Sequence, residues 1–582
     1  MTRSHARFAT VMALTLTSAT ALSACQEDSG PTVPRSSSSS ATSSAGTAPG
    51  AQAPAPQRPM ADLSRYVGQQ VSWSEDTCPS SMRVVTALSD KTTCARITAP
   101  KDYFDPGKGD ITLMVARTKS DNPDARVLFT NPGGPGAPAA RFSAVVAKLS
   151  PLAQTHDVIG VDPRGTGDST SVSCDPPRTG VDDNRNLTPA QVTTVQSRVK
   201  KSVTDCVAKH GGLLPFLTSD NTARDHDLVR RILGADTVDY YGVSAGTWLG
   251  SRYATLFPKQ VGRFVLDSNT EFTAPFAKTF GNQPMAFQRR WDQQFLPWAA
   301  RHDATYGLGT DNRAVNGVYE KVRKAAGEGR LDVFTPSLID NVLASEMYGD
   351  PGFVSAATLL GLLDKATDGD PDALRQAKRS LMSSGGDGYT DYRESTTFMA
   401  VTCNDTPWNK QPLTYAANAF NLGKKYPLTG YDVVENRCAY WPYTAPQTKV
   451  DVSKAPPMMM VQTELDPATS YENAMSAHRA SPSTRMLVVD NQGDHGAVVG
   501  SKNACVTTAA YDFLTKGKLI AQDSVCPAVP LPDDSQVFEV GSKAQGAQLP
   551  TADGYARQKP NLAQQVIDLL LRILAEATRP QR

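Results

Sequence analysis

The stretch TVDYYGVSAGTWLG at 237–250 constrains this chain more than any other. TVDYYG reads as a strand, and GTWLGSRYATLFP opens a helix directly after it. Gly242-Val243-Ser244-Ala245-Gly246 occupies the joint, so the backbone must bend sharply there. Flanking side chains would clash in such a bend, and the glycines remove them. Alone, G-x-S-x-G is as well explained by an ordinary Gly/Ser turn. Between a strand and a helix it becomes an elbow that holds the Ser244 hydroxyl clear of the backbone.

The rest of the chain extends the pattern. ITLMVARTK (111–119), ARVLFTN (125–131) and HDVIGVD (156–162) are β-rich and bounded by Gly, Pro and Asp. Segments near 188–208 and 220–233 have apolar residues at helical spacing, and RFVLDSN (263–269) is a strand again. From about 270 to 440 the pattern is mostly helical. APPMMMVQTELD (455–466), YENAMSAHRA and TRMLVVDNQGDHG (484–496) then restore the alternation. The economical reading is one mostly parallel α/β sheet over 66–530 interrupted by a helical insertion at about 270–440, and the elbow at 242–246 makes an α/β-hydrolase fold the expectation. A separate middle domain would leave each flanking piece with an incomplete sheet.

The ends read differently. Arg3, His5 and Arg7 lead an apolar stretch that closes at Leu22-Ser23-Ala24-Cys25, so 1–25 reads as a signal peptide. That ending resembles the bacterial lipoprotein box, which makes Cys25 the lipidated residue; the alternative is a plain signal cut near Ala21 or Ala24. Residues 26–65 are Ser-, Ala- and Pro-rich and too poor in apolar side chains to fold, a tether. The tail 531–582 ends in a candidate amphipathic helix with Val566, Leu569, Leu570 and Ile573 on one face.

Nine cysteines occur in the chain, and setting Cys25 aside leaves eight in four sequence-local couples. For an exported chain these read as disulfides Cys78–Cys94, Cys174–Cys206, Cys403–Cys438 and Cys505–Cys526. Nearest-neighbour pairing is one of about 105 connectivities. None of the spacings suits a metal site. Lys plus Arg number 59 against 58 for Asp plus Glu, which supplies no field for nucleic acid. Nothing calls for a metal or organic cofactor.

A serine hydroxyl needs a base. The chain has seven histidines, which permits elimination. His5 lies in the leader, and His156, His210 and His226 precede the nucleophile, against the order Ser, acid, His of this fold. His302 falls in the helical insertion and His478 within a helix. His495, in the loop NQGDHGAVV after a strand, remains. Asp466 ends the preceding strand at its carboxyl edge and is the candidate acid. Glu464 is its near competitor, and Asp494 reads as a loop-capping or surface carboxylate. For the oxyanion, one donor is the amide of Ala245. The other comes from Asn131-Pro132-Gly133-Gly134-Pro135-Gly136, where proline lacks an N–H and Gly133 and Gly134 are usable.

With these segments in hand, the set NPGGPG, VDPRGTG, ARDHDLVRRILG, YYGVSAGTWLG, YATLFP, TELDPATSYENA and GDHG resembles the secreted tripeptidyl and prolyl aminopeptidases of actinobacteria. The resemblance covers most of 70–530, with the motifs in family order. It implies a helical cap over the site and release of short peptides or residues from a free N-terminus. It is departed from at Ala245, where Tyr is usual, at Ser268, where Gly is frequent, and at Asp494, where Gly is usual. These departures bear on pocket shape rather than on the triad.

An enzyme that reads a free amine calls for an acidic anchor near the cap, and Glu394 and Asp405 are the candidates. Peptides with free N-termini are the expected partners, and the membrane is reached only through Cys25. An extracellular esterase on the same triad is the competing enzyme reading. A binding lipoprotein would not need the complete set of Ser, Asp, His and Gly-Gly loop. If Cys25 carries the anchor, Cys25→Ala is expected to release the protein from the membrane fraction. Unchanged retention on fractionation would refute the anchor.

Overall fold

The computed structural model describes residues 59–540 except 80–81, 83–90, 178, 384–391 and 447. The leader, Cys25, residues 26–58 of the tether and the candidate helix near 561–579 therefore lie outside the described residues.

Nine strands form one sheet in the order β1-β2-β4-β3-β5-β6-β7-β8-β9. They are β1 (Thr92–Pro100), β2 (Asp110–Thr118), β3 (Arg126–Asn131), β4 (His156–Val161), β5 (Val238–Val243), β6 (Val261–Asp267), β7 (Met458–Thr463), β8 (Thr484–Val489) and β9 (Ser524–Cys526). β1 and β2 are antiparallel, and β2 meets β4 antiparallel. From β4 through β9 every neighbouring pair is parallel. Parallel strands are covered by helices on both faces, and β5 and β7 are accordingly buried along their whole length.

The helices flanking the sheet begin where local chemistry starts them. Thr188 and Gln191 form a reciprocal capping box for Pro189–His210. The Thr218 side chain accepts from the Asn221 amide to start Ser219–Ile232. One apolar core, including Phe129, Trp248, Phe264 and Met460, contains side chains from both sheet and helices. A second, with Leu128, Val265, Met459, Leu487 and Phe513, joins the sheet to the helix Ala504–Lys516.

Between β6 and β7 the chain is helical, from Phe276–Gly281 to Pro412–Lys425. Much of it closes around its own core, where Trp291, Phe295, Trp298 and Phe353 meet. β6 and β7 nonetheless pair directly, Val265 with Met459 and Asp267 with Val461. The sheet is therefore continuous across the insertion, which excludes a separate middle domain between two incomplete sheets. The boundary expected at 530 needs correction, because the chain after β9 still packs on the cap. Trp298 Nε1 donates to the Pro532 carbonyl at 2.7 Å, and Arg301 pairs with Asp534 at 2.6 Å. Leu531 lies against the cap core. β1 and β9, which carry no strong strand pattern, complete the two sheet edges.

No helix among the described residues is long and apolar enough to cross a membrane. The disulfides are Cys78–Cys94, Cys174–Cys206, Cys403–Cys438 and Cys505–Cys526. Such bonds persist in oxidising, extracytoplasmic compartments. Closing loops of this length contributes about 3 kcal/mol each in the chain-entropy view. Non-reduced protein, denatured and treated with an alkylating agent, is expected to show no labelled thiol among these eight cysteines by mass spectrometry. Labelling at any of them would contradict the pairing.

Candidate active site

The carboxyl ends of β3, β5, β6, β7 and β8 converge on one edge of the sheet, where sites in open α/β sheets gather. Ser244 follows β5 and stands just before the helix Ala245–Leu256, with φ 59° and ψ −128°. A non-glycine residue at positive φ is strained by about 1–3 kcal/mol. Here the Ser244 amide donates to the Asp267 carbonyl at 3.0 Å, and the Thr247 amide donates to the Ser244 carbonyl at 2.8 Å. The turn also requires glycine at 246, where a Cβ would meet the Asn131 carbonyl oxygen at 2.6 Å.

Asp466 lies past β7 and is fully buried. It accepts the amides of Ala468 at 2.9 Å and Thr469 at 2.7 Å, and the Thr469 hydroxyl at 3.0 Å. His495 Nδ1 is 3.0 Å from each Asp466 carboxylate oxygen. With Nδ1–H donated to the carboxylate, Nε2 is left as the basic nitrogen. The imidazole meets the Tyr348 ring edge-on at 5.2 Å, and the His495 amide donates to the Tyr348 carbonyl at 2.7 Å. A Cβ on Gly496 would come within 3.4 Å of Val243 Cγ1. The histidine loop therefore sits against the last residue of β5, beside Ser244.

Glu464 does not join this pair; it accepts the Asn491 amide at 3.0 Å. Asp494 caps the cap, accepting the Asp350 amide at 2.6 Å. Ser268, where glycine is frequent in the family resembled, has φ 57° and accepts the Gly496 amide on Oγ at 2.8 Å.

The Gly-Gly loop lies against the elbow. A Cβ on Gly133 would be 2.5 Å from the Val243 carbonyl oxygen and 2.9 Å from Ser244 Cβ. Its amide, however, donates to Asn131 Oδ1 at 2.9 Å in a local Asx turn. That corrects one expected donor: Gly133 provides close approach, not a free N–H. The amides of Gly134 and Ala245 remain as the candidate pair, the latter at a helix N-terminus where negative charge is favoured.

Above the serine lies a cleft of about 430 Å³, open solvent at its mouth included. Phe276, Phe280 and Phe398 form its apolar wall, and Gly134, Ser244 and Ala245 its floor. Thr270, Thr279, Gln283 and Tyr348 supply polar groups. No charged side chain is among the described lining residues. Asp405 is not in it, which corrects the other expected role. It is buried below Trp248, accepting Trp248 Nε1 at 3.1 Å and the Ser219 amide at 3.0 Å. Burial pushes its carboxyl up to about 6. Glu394 stands one turn before Phe398 on the helix Tyr392–Asp405, and its side chain lies outside the described residues.

Tyr348, Thr469, Asp267 and the three phenylalanines are assigned no role from the sequence. Asp267 shared the signal that marked Asp466, a carboxylate at a strand end. The others carry no pattern that separates them from ordinary packing.

The chain is similar in sequence to known proteins. Residues 426–526 match the family model described as TAP-like protein. The chain is 32% identical over 455 residues to a tripeptidyl aminopeptidase of Streptomyces lividans, covering 74% of this chain and 83% of that one. It is 25% identical over 489 residues to serine protease Hip1 of Mycobacterium bovis, covering 79% and 91% respectively. It is 28% identical over 456 residues to carboxylesterase B of Mycobacterium tuberculosis, covering 73% and 84%.

If Ser244 is the attacking group, Ser244→Ala is expected to lower kcat by about three orders of magnitude or more. The thermal midpoint should stay at or above wild type, because the change removes only the hydroxyl of a half-buried residue at a strained position. Near-normal turnover of the variant would rule the elbow out.

Proposed function

We propose that this chain, which belongs to the tripeptidyl aminopeptidase family of α/β-hydrolases, is an exported serine aminopeptidase that releases short peptides from free N-termini. The observation that carries the reading is the His495–Asp466 pair at 3.0 Å beside a strained serine elbow. Ser244 Oγ attacks the scissile carbonyl while His495 Nε2 takes its proton. Asp466 orients the ring through Nδ1–H and stabilises the imidazolium. The oxyanion that develops is met by the amides of Ala245 and Gly134. His495 returns the proton to the leaving amine, and water then cleaves the acyl-enzyme by the same steps.

The acyl group of that intermediate is the N-terminal fragment, so it occupies the cleft under the cap. Phe276, Phe280 and Phe398 suit apolar side chains at the cleavage point. The cap helix Tyr392–Asp405 supplies both Phe398 and, one turn earlier, Glu394, which we assign to the substrate ammonium. Lipidation at Cys25 would hold the enzyme on the outer face of the membrane, with 26–65 as its tether.

A second reading is favoured by one observation, the lack of charge among the described lining residues: an esterase taking a neutral acyl group. Free and N-acetylated chromogenic peptides separate the two. Loss of a desolvated charge pair costs about 2–5 kcal/mol. Acetylation is therefore expected to lower kcat/KM by roughly thirtyfold or more. Glu394→Gln should cause a similar loss on the free peptide and little on the blocked one. Equal cleavage of both peptides would overturn the aminopeptidase reading in favour of the esterase.

A further inference from the structure

The end of β6 carries a second buried carboxylate that the mechanism above does not use. Asp267 has no exposed surface. Its Oδ1 accepts the Ala497 amide at 2.9 Å. Its Oδ2 accepts the Val498 amide at 3.0 Å and the Tyr241 hydroxyl at 2.9 Å. The backbone carbonyl of the same residue accepts the Ser244 amide at 3.0 Å. Ser268, next in the chain, accepts the Gly496 amide. Two consecutive residues thus grip the nucleophile on one side and three successive amides after His495 on the other.

We propose that Asp267 is a positioning residue whose ionised carboxylate fixes His495 relative to Ser244 and is required for turnover. The inference rests on Ser244 and His495 being the reacting pair. The chemistry of the donors gives the reason. Two amides and a phenol point three hydrogens at this side chain, and an ionised carboxylate accepts all of them. A protonated one carries a hydrogen of its own and accepts these donors more weakly, which loosens the loop that carries His495. Hydrogen bonds to the charged form are also about twice as strong as neutral ones.

Burial pushes Asp267 up to about 6, and its donors, Ala497, Tyr241 and Val498, pull in the opposite direction. Three titratable side chains face it. Tyr241 of β5 and Tyr511 of the helix Ala504–Lys516 are both raised above the ordinary phenol range by burial, and so stay neutral. The third is His495, whose positive charge favours the ionised Asp267. By reciprocity, ionised Asp267 favours the imidazolium formed as Ser244 gives up its proton. The sign follows: Asp267 is charged above about 6, and acidification through that value removes the charge and the grip.

The test is the pH profile of kcat and kcat/KM on one chromogenic substrate that the wild type turns over, with thermal melts alongside. Loss of the Asp267 charge adds to the acid limb, so wild-type log kcat/KM should fall more steeply below about 6 than one essential proton allows. Asp267→Asn should lower the plateau kcat by roughly tenfold or more, leave KM within about threefold, and reduce that slope to about one. Tyr241→Phe removes one donor to the charged form, so its acid limb should move to higher pH. A plateau for Asp267→Asn within about twofold of wild type, or an unchanged slope, would overturn the proposal. Should Asp267→Asn not fold, Tyr241→Phe decides alone, and an unmoved limb overturns it. Ser244→Ala runs in parallel: if it retains turnover, the catalytic reading falls and this proposal falls with it. If it is inactive while the other two variants behave as wild type, only the Asp267 proposal fails.

Discussion

Ser244 stands at φ 59° because its neighbours in the sheet leave it no alternative. β5 and β6 pair in parallel to their last residues, Val243 opposite Asp267, and the next amide, that of Ser244, still donates across to β6. The helix Ala245–Leu256 starts immediately, and its first turn takes the Ser244 carbonyl. A strained residue persists only where the surroundings over-determine it. Here strand pairing, helix start and the close approach of Gly133 do so together. The interior of a parallel sheet is rigid enough to carry that strain at its edge, and the reactive hydroxyl is presented as a consequence.

The same edge receives the cap. Arg290 is buried, and its partners come from both the cap and the histidine loop. It donates to the Met347 carbonyl at 3.0 Å and to Asp350 at 2.8 Å, and it lies 3.8 Å from Asp494, next to His495. Gln294, one turn along, donates to the Asn491 carbonyl at 2.9 Å. Tyr348, held between Met347 and Asp350, gives its carbonyl to the His495 amide and its ring to the imidazole. Cap and histidine loop are thus hydrogen-bonded into one another. Asp350 is pushed up to about 7 chiefly by burial and by the neighbouring Asp494, with Arg290 opposing.

Strand-end positions were the legible part of this molecule. Each of Ser244, Asp466 and His495 follows a strong β run, and the turn chemistry around each is local, so sequence periodicity finds it. The parallel strands read well for a related reason: β5 and β7 are buried at every position and rich in apolar and aromatic residues. β1 carries no clean alternation, and β9 is a three-residue edge strand too short to show a period. The Gly133 amide could not be discounted from sequence, because the Asx turn that consumes it depends on how Asn131 folds back. Asp405 stands two residues from the Cys403–Cys438 disulfide, yet nearness to a disulfide says nothing of direction. The helix carries it under Trp248 rather than into the cleft. The cleft wall itself comes from Phe276, Phe280, Tyr348 and Phe398, distant in sequence and brought together only by tertiary packing.

Covalent trapping of the nucleophile tests the central claim most directly. Mature protein treated with a fluorophosphonate at neutral pH and mapped by peptide mass spectrometry should carry one adduct, on Ser244. His495→Ala should suppress that labelling by about two orders of magnitude or more, since the hydroxyl is a weak nucleophile without its base. An adduct on any other residue, or equal labelling of wild type and His495→Ala, would contradict the assignment of Ser244 and His495 as the reacting pair.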